Sequence, residues 1–213
     1  RILSSAASDV YKRQLHDEDA SLLDIIVRES RRLDSLITEF LEYVKPTKVK
    51  MDQLSLVDIC EELKKALSVN QKWIDMGTDL SIVSEQDNVV VLGQKDKIMQ
   101  ILMNFALNAG QAGAKKVVLK LSDRSVLEIN DDGSGIKEQD QAHIFEPFFT
   151  TKEKGTGLGL AICYRLLEAM GARVIVKSPI PELFPSGGTQ FRIEFKGVDH
   201  QNESHVKAND SRR

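Results

Sequence analysis

Cysteine, charge of one sign and long apolar runs are what this chain has least of. Only two cysteines occur in 213 residues, Cys60 and Cys163, and both fall in helix-like segments far apart in sequence. They read as small core residues in a reducing compartment, which excludes a disulfide framework or a thiolate metal site. Lysine plus arginine number 29 against 32 aspartate plus glutamate, a net charge of −3. A balance that close leaves no basic surface for nucleic acid or anionic lipid. No apolar run approaches the roughly 20 residues needed to span a bilayer, and no signal peptide opens the chain. The first residue is Arg1 rather than methionine, so the expectation is a fragment of something longer.

What the chain does have is periodicity, and it changes along the length. Residues 1–14 carry no sustained pattern, and 1–16 are expected to be an ill-ordered leader. Over 17–46 the spacing predicts one long helix. Leu22, Ile26, Leu33, Leu36 and Phe40 recur at three and four residues, and Leu23, Ile37, Leu41 and Val44 widen that stripe. So broad an apolar face suits a helix with more than one neighbour, as in a four-helix bundle. Asp17, Glu18 and Asp19 favour its start and Pro46 its end. A plainer alternative, a surface helix of the following domain, sits poorly with that width and with Pro46.

A second domain is expected over 47–196. Strands are predicted at 54–56, 80–83, 89–92, 117–121, 126–130, 173–177 and 189–195. Helices are predicted at 57–73, 94–112 and 157–170, the last stopped by Gly171. The strands at 117–121 and 126–130 pair around a turn at Asp123-Arg124. Frequent hairpins among interleaved helices indicate an α+β fold, a mixed sheet with helices on one face. Residues 197–213 are polar and charged, an expected disordered tail.

Four short segments carry the chemistry: Asn104-Phe-Ala-Leu-Asn108, Asp131-Asp-Gly-Ser-Gly135, Phe145-Glu-Pro-Phe-Phe149 and Gly155-Thr-Gly-Leu-Gly-Leu160. Asn104 and Asn108 lie one helical turn apart and point the same way. Their helix is apolar over most of its surface, so amides there need partners. Magnesium shared with phosphates is one solution, and neighbouring backbone is another. Asp131 ends a strand. Its carboxylate suits an exocyclic amine, and Gly133 and Gly135 let backbone approach a flat base, although Asp-Gly is also an ordinary turn. Gly155, Gly157 and Gly159 precede a helix whose N–H groups and dipole favour phosphate. Between the second and fourth motifs, Ile136 to Gly155 looks like a lid, anchored by Phe145, Phe148 and Phe149, with Lys152 within reach of a phosphate. A Walker-type Gly-Lys-Ser/Thr ending is missing from the glycine loop.

In order and spacing these motifs resemble the N, G1, F and G2 boxes of sensor histidine kinases, over roughly residues 20 to 195. The resemblance implies a two-layer α/β sandwich of the histidine kinase and Hsp90 ATPase type, preceded by the second helix of a dimerisation and phosphotransfer bundle. It implies ATP and Mg²⁺ as cofactors. By position, Asn108 matches the metal ligand and Asn104 its partner, both catalytic together with Lys152. Asp131 matches the adenine-binding acid, with Gly133 and Gly135. Nucleotide contacts extend to Thr151, Lys152, Gly155, Thr156, Gly157, Leu158 and Gly159, and to Thr189 in a small box before the last strand. Implied partners are a second copy in the intact protein and the receiver domain of a response regulator, in the cytoplasm. Any membrane anchor would belong to an N-terminal part outside this chain. A protein-serine kinase or ATP hydrolase of the same superfamily would place glutamate where Asn104 stands, as general base. An inactive nucleotide-binding adaptor is a further alternative.

One feature departs from the family. A phosphoacceptor histidine belongs on a helix upstream, in a His-Glu-x-x-Asn/Pro pattern. His16 precedes Asp-Glu-Asp in what would be an interhelical loop, His143 lies in the lid, and His200 and His205 are in the tail. None fits, so a chain cut between its bundle helices and unable to phosphorylate itself is expected.

Overall fold

The amphipathic stretch near the N-terminus forms one helix, α1 (Asp17–Val44). The structure, a computed structural model, describes residues 17–45, 48–86, 89–122, 125–152, 155–185 and 187–197. The expected leader, Pro46, the turn at Asp123-Arg124 and tail residues 198–213 lie outside the described residues. The chain divides into two compact units, one up to Lys45 and one from Pro46 onward. Within the first unit, Leu22, Ile26, Leu33, Ile37, Phe40, Leu41 and Val44 of the α1 stripe are exposed. No helix among the described residues is long and apolar enough to cross a membrane.

The second unit begins with β1 (Asp52–Ser55), α2 (Leu56–Ser68) and α3 (Gln71–Met76). Here the sequence reading needs correcting, because one helix was expected over 57–73. Asn70 breaks it: its side chain accepts from the Trp73 N–H at 3.1 Å, starting a new helix. An asparagine that competes for backbone donors caps better than it propagates. Next come β2 (Asp79–Ser84), β3 (Val90–Gly93) and the long α4 (Lys95–Gln111). The hairpin β4 (Lys116–Ser122) and β5 (Val126–Asp131) precedes a short α5 (Glu138–Gln141) that sequence periodicity did not reveal. The chain closes with α6 (Gly159–Ala169), β6 (Arg173–Lys177) and β7 (Thr189–Glu194).

Five strands form a mixed sheet in the order β2-β4-β5-β7-β6. Among the described residues only β2 and β4 run parallel, and the remaining pairs of this sheet are antiparallel. Strands β1 and β3 pair separately. Strand β3 also meets the chain just after β7, where the Leu92 N–H donates to the Lys196 carbonyl at 3.0 Å. Alternation decides the layers. Along β4, Val117, Leu119 and Leu121 are buried while Lys116 and Lys120 are exposed. Buried with that face in the core are Leu56, Ile59 and Leu63 of α2, Ile98, Ile101, Leu102 and Phe105 of α4, and Ala161, Ile162 and Leu166 of α6. Each such leucine, isoleucine or phenylalanine contributes on the order of 1.5–3 kcal/mol of burial. Both cysteines are buried and outside any disulfide, and burial, then the charge of Glu61, pushes the Cys60 thiol up to about 12. They are packing residues.

Candidate nucleotide site

Helix α4 carries Asn104 and Asn108 on the side turned toward the start of α6. The two amides satisfy each other, with Asn108 Nδ2 donating to Asn104 Oδ1 at 2.9 Å. A second partner comes from the lid, where the Lys152 ammonium donates to Asn108 Oδ1 at 2.8 Å and to Gln111 Oε1 at 2.6 Å. Lys152 is exposed as a residue, but its head group is tucked against α4. That burial, and then the charge of Lys72, lowers its pKa from the ordinary lysine value. The amide oxygen of Asn108 therefore already accepts a cation. Hard amide oxygens suit Mg²⁺ shared with phosphate oxygens, so the donor set fits that ion. Gln111 was missed in the sequence, although three residues beyond Asn108 puts it on the same helical face.

Over Asn104 lies the glycine loop. A Cβ at Gly159 would come within 2.7 Å of Asn104 Nδ2, so glycine there lets the loop close on the amide without displacing it. Leu158, which caps α6, makes no side-chain hydrogen bond to the helix. Nothing from that cap competes with an anion for the first N–H groups of α6. Leu158 itself is fully buried. Thr156 Oγ1 accepts from the Leu158 N–H at 3.3 Å, tightening the same turn. Gly157 adopts φ +70°, and its carbonyl accepts from the Phe148 N–H at 3.0 Å. Phe148 is itself left-handed at φ +67° and exposed, an unusual backbone for a bulky residue that ties lid to loop. Thr151 is exposed on the lid, and a Cβ on Gly155 would strike Thr150 Oγ1.

At the other end Asp131 closes β5, 4 % exposed. Its Oδ1 accepts from the Gly133 N–H at 2.9 Å. Burial raises its pKa to about 6, opposed by hydrogen bonds from the Gly133 and Thr189 backbone and reinforced by the neighbouring Asp132 charge. Thr189 opens β7 directly opposite Asp131, and it too is buried. Gly133 is needed because a Cβ there would sit 2.9 Å from Asp131 Oδ1 and 3.2 Å from Ala112. Gly135, at φ +76°, turns the chain away. The Ser134 N–H donates to the Ala112 carbonyl at 3.1 Å, tying this loop to the end of α4. Between the ends, Phe145 of the lid stands 5.4 Å from Tyr164 and 6.4 Å from Phe191 between ring centroids, and Phe191 stacks on Phe105 at 4.4 Å.

A buried acid thus stands at one end of this region, and paired amides beside a glycine-lined helix start at the other. Residues 93–198 match the family of histidine kinase-, DNA gyrase B- and HSP90-like ATPases. The chain carries a sensor histidine kinase catalytic domain. Sporulation kinase D of Bacillus subtilis is 32 % identical over 174 residues, which cover 79 % of this chain and 34 % of that kinase. Sensor histidine kinase ZraS of Salmonella typhimurium is 32 % identical over 167 residues, covering 76 % of this chain and 36 % of ZraS. Full-length ShkA, solved with AMPPNP, superposes with a TM-score of 0.68 at 25 % identity, over 86 % of this chain and 40 % of ShkA. The chain thus spans about a third of the length of the curated relatives it matches. The domain is of the ATP-binding type.

Proposed function

We propose that this catalytic domain binds Mg·ATP and passes the γ-phosphoryl group to a histidine presented on a separate helix. One observation carries the reading: Lys152, Asn108 and Asn104 form a hydrogen-bonded row that ends over Gly159 at the start of α6. Amide oxygens, an ammonium and helix N–H groups converge there, a set that suits a metal-chelated polyphosphate. Magnesium, when bound, would neutralise phosphate charge. Asn108 would hold it, with Asn104 as neighbour. The chain's other groups bind and orient. Asp131 accepts from the adenine amine, Gly133 and Gly135 admit the base, and the 155–159 loop donates to phosphate. Transfer of this kind rests on positioning and charge neutralisation and needs no strong base from the domain. Asn104 cannot take a proton, which sets the site apart from relatives that activate water or a hydroxyl.

His143 belongs to the lid and not to an upstream bundle helix; its Nδ1 pairs with Glu146 Oε1 at 2.9 Å and its ring lies beside Phe149. For the parent protein we propose dimerisation through the exposed stripe of α1 and delivery of phosphate to a response-regulator receiver domain. The test is calorimetric titration of Mg·ATP into the native chain and into Asn108→Ala. Binding that needs Mg²⁺ in the native chain, and loses that need in the variant, supports the site. Equal Mg²⁺ dependence in both would refute it.

A further inference from the structure

Strand β6 ends at Lys177, and the next residue, Ser178, is 8 % exposed although it carries a hydroxyl. That hydroxyl joins two segments that are remote in sequence. It accepts from the Ile136 N–H at 2.7 Å and donates to the Gly188 carbonyl at 2.8 Å. Both segments flank Asp131. Ile136 follows the Gly133–Gly135 turn, and Gly188 is so close to Asp131 that a Cβ there would lie 2.4 Å from the Asp131 carbonyl. The Gly188 N–H also donates to the Gly133 carbonyl at 2.9 Å, closing the ring of contacts. Gly135 makes room for the arrangement, since its Cβ would fall 2.9 Å from Ser178 Oγ.

Gln141, the last residue of α5, completes the joint from the lid side. Its Nε2 donates to the Ser178 carbonyl at 2.6 Å and to the Ile136 carbonyl at 3.2 Å. The first turn of the lid is thus fastened at one point to the floor of the adenine end. Neither residue lies where the phosphates or metal would be held. We propose that Ser178 and Gln141 are positioning residues that seat the base of the lid and the Gly188–Thr189 segment around Asp131, setting adenine affinity and selectivity without touching the nucleotide. The proposal rests on the Mg·ATP reading above. Its physical basis is that a buried hydroxyl bridging two backbone groups leaves both unsatisfied when it is removed.

The test uses the full 213-residue chain with Ser178→Ala, Ser178→Thr, Gln141→Glu and Gln141→Ala. Gln141→Glu keeps shape and loses both donated hydrogen bonds. Ser178→Ala and Gln141→Glu should each weaken Mg·ATP binding about tenfold, the fold-change of one such bond. They should narrow the preference for Mg·ATP over Mg·GTP, and Ser178→Thr should restore it. In nucleotide-free chain, hydrogen exchange at Ile136 should accelerate in Ser178→Ala, with β4 and β5 amides unchanged. A residue that only held the fold together would lower protection throughout and leave the adenine preference alone. Native affinity, native selectivity and unchanged Ile136 exchange in both donor-loss variants would overturn the proposal, and Gln141→Ala guards against misfolding of a buried Ser178 variant. If the native chain itself showed no adenine preference, the ATP reading would fall. Exchange in the nucleotide-free variants would still decide whether the joint holds the lid.

Discussion

Gly157→Ala should disable nucleotide binding while leaving the sheet and its helices folded. The native residue sits at φ +70°, where a Cβ costs about 1–2 kcal/mol. That Cβ would also lie 2.4 Å from the Phe148 carbonyl carbon and 2.7 Å from its Cα and oxygen, all backbone atoms that cannot swing aside. Overpacking of this kind adds roughly 1–3 kcal/mol. The sum, about 2–5 kcal/mol, is more than a lid held by few buried contacts can absorb. The segment should therefore separate from Phe148 instead of accepting the strain. Mg·ATP affinity should fall at least about thirtyfold, since 1.4 kcal/mol is a factor of ten. The melting temperature should drop by only about 2–4 °C, because Phe148 is exposed and the core is untouched. Gly171→Ala is the matched control: φ is +67° there as well, but nothing lies within 4 Å of its Cβ. It should lose stability of about 1 kcal/mol and no affinity. Calorimetric titration paired with thermal melting reads both. Native affinity in Gly157→Ala, or equal harm from Gly171→Ala, would refute the argument that lid and loop meet at van der Waals contact.

Further outcomes follow from the rest of the site. Asp131→Asn should erase the preference for ATP over GTP, measured by competition binding. With the folded Asp131 carboxyl near 6 against an ordinary value of 3.8, the folded chain keeps a proton that the unfolded chain has lost between roughly pH 4 and 6. Its contribution to stability is greatest below that window and falls as pH rises through it, a slope that Asp131→Asn should remove in denaturant titrations. Adenine's amine favours the ionised acid, so ATP affinity should decline below about pH 6 in the native chain more steeply than in Asp131→Asn. Lys152→Ala should leave the Asn104–Asn108 pair intact while weakening ATP more than ADP, seen as a narrowed affinity ratio. Incubated alone with γ-labelled ATP, the chain should acquire no acid-labile phosphate. Label lost on mutating His16 would mean that histidine is an acceptor after all.

Periodicity made the layers legible before any coordinates. The alternation of Val117, Leu119 and Leu121 announced β4 and its buried face, and the glycines at 155, 157 and 159 announced a helix start. What stayed hidden depended on tertiary neighbours. The break at Asn70 turns on one side chain preferring a cap to helix interior, a choice of about 1 kcal/mol that a window of apolar spacing does not register. Asn104 and Asn108 were readable as a pair needing partners, but the partner found across the lid, Lys152, lies 44 residues from Asn108. Ser178 and Gln141 carried no signal at all, since a serine after a strand and a glutamine in a loop are unremarkable until the fold brings them to Ile136. Burial of Asp131 was likewise invisible in an Asp-Gly turn, and it is burial that perturbs the acid.

The central claim is transfer of phosphate from Mg·ATP to a histidine, and one measurement tests it most directly. The chain is mixed with γ-labelled ATP, Mg²⁺ and a separate histidine-bearing helical bundle from the same parent, and the label is followed on protein. The account predicts acid-labile, alkali-stable phosphate on the bundle's histidine, dependent on Mg²⁺ and absent when Asn108→Ala replaces the native chain. Release of label as free phosphate with none on the bundle, or label that survives acid, would contradict it.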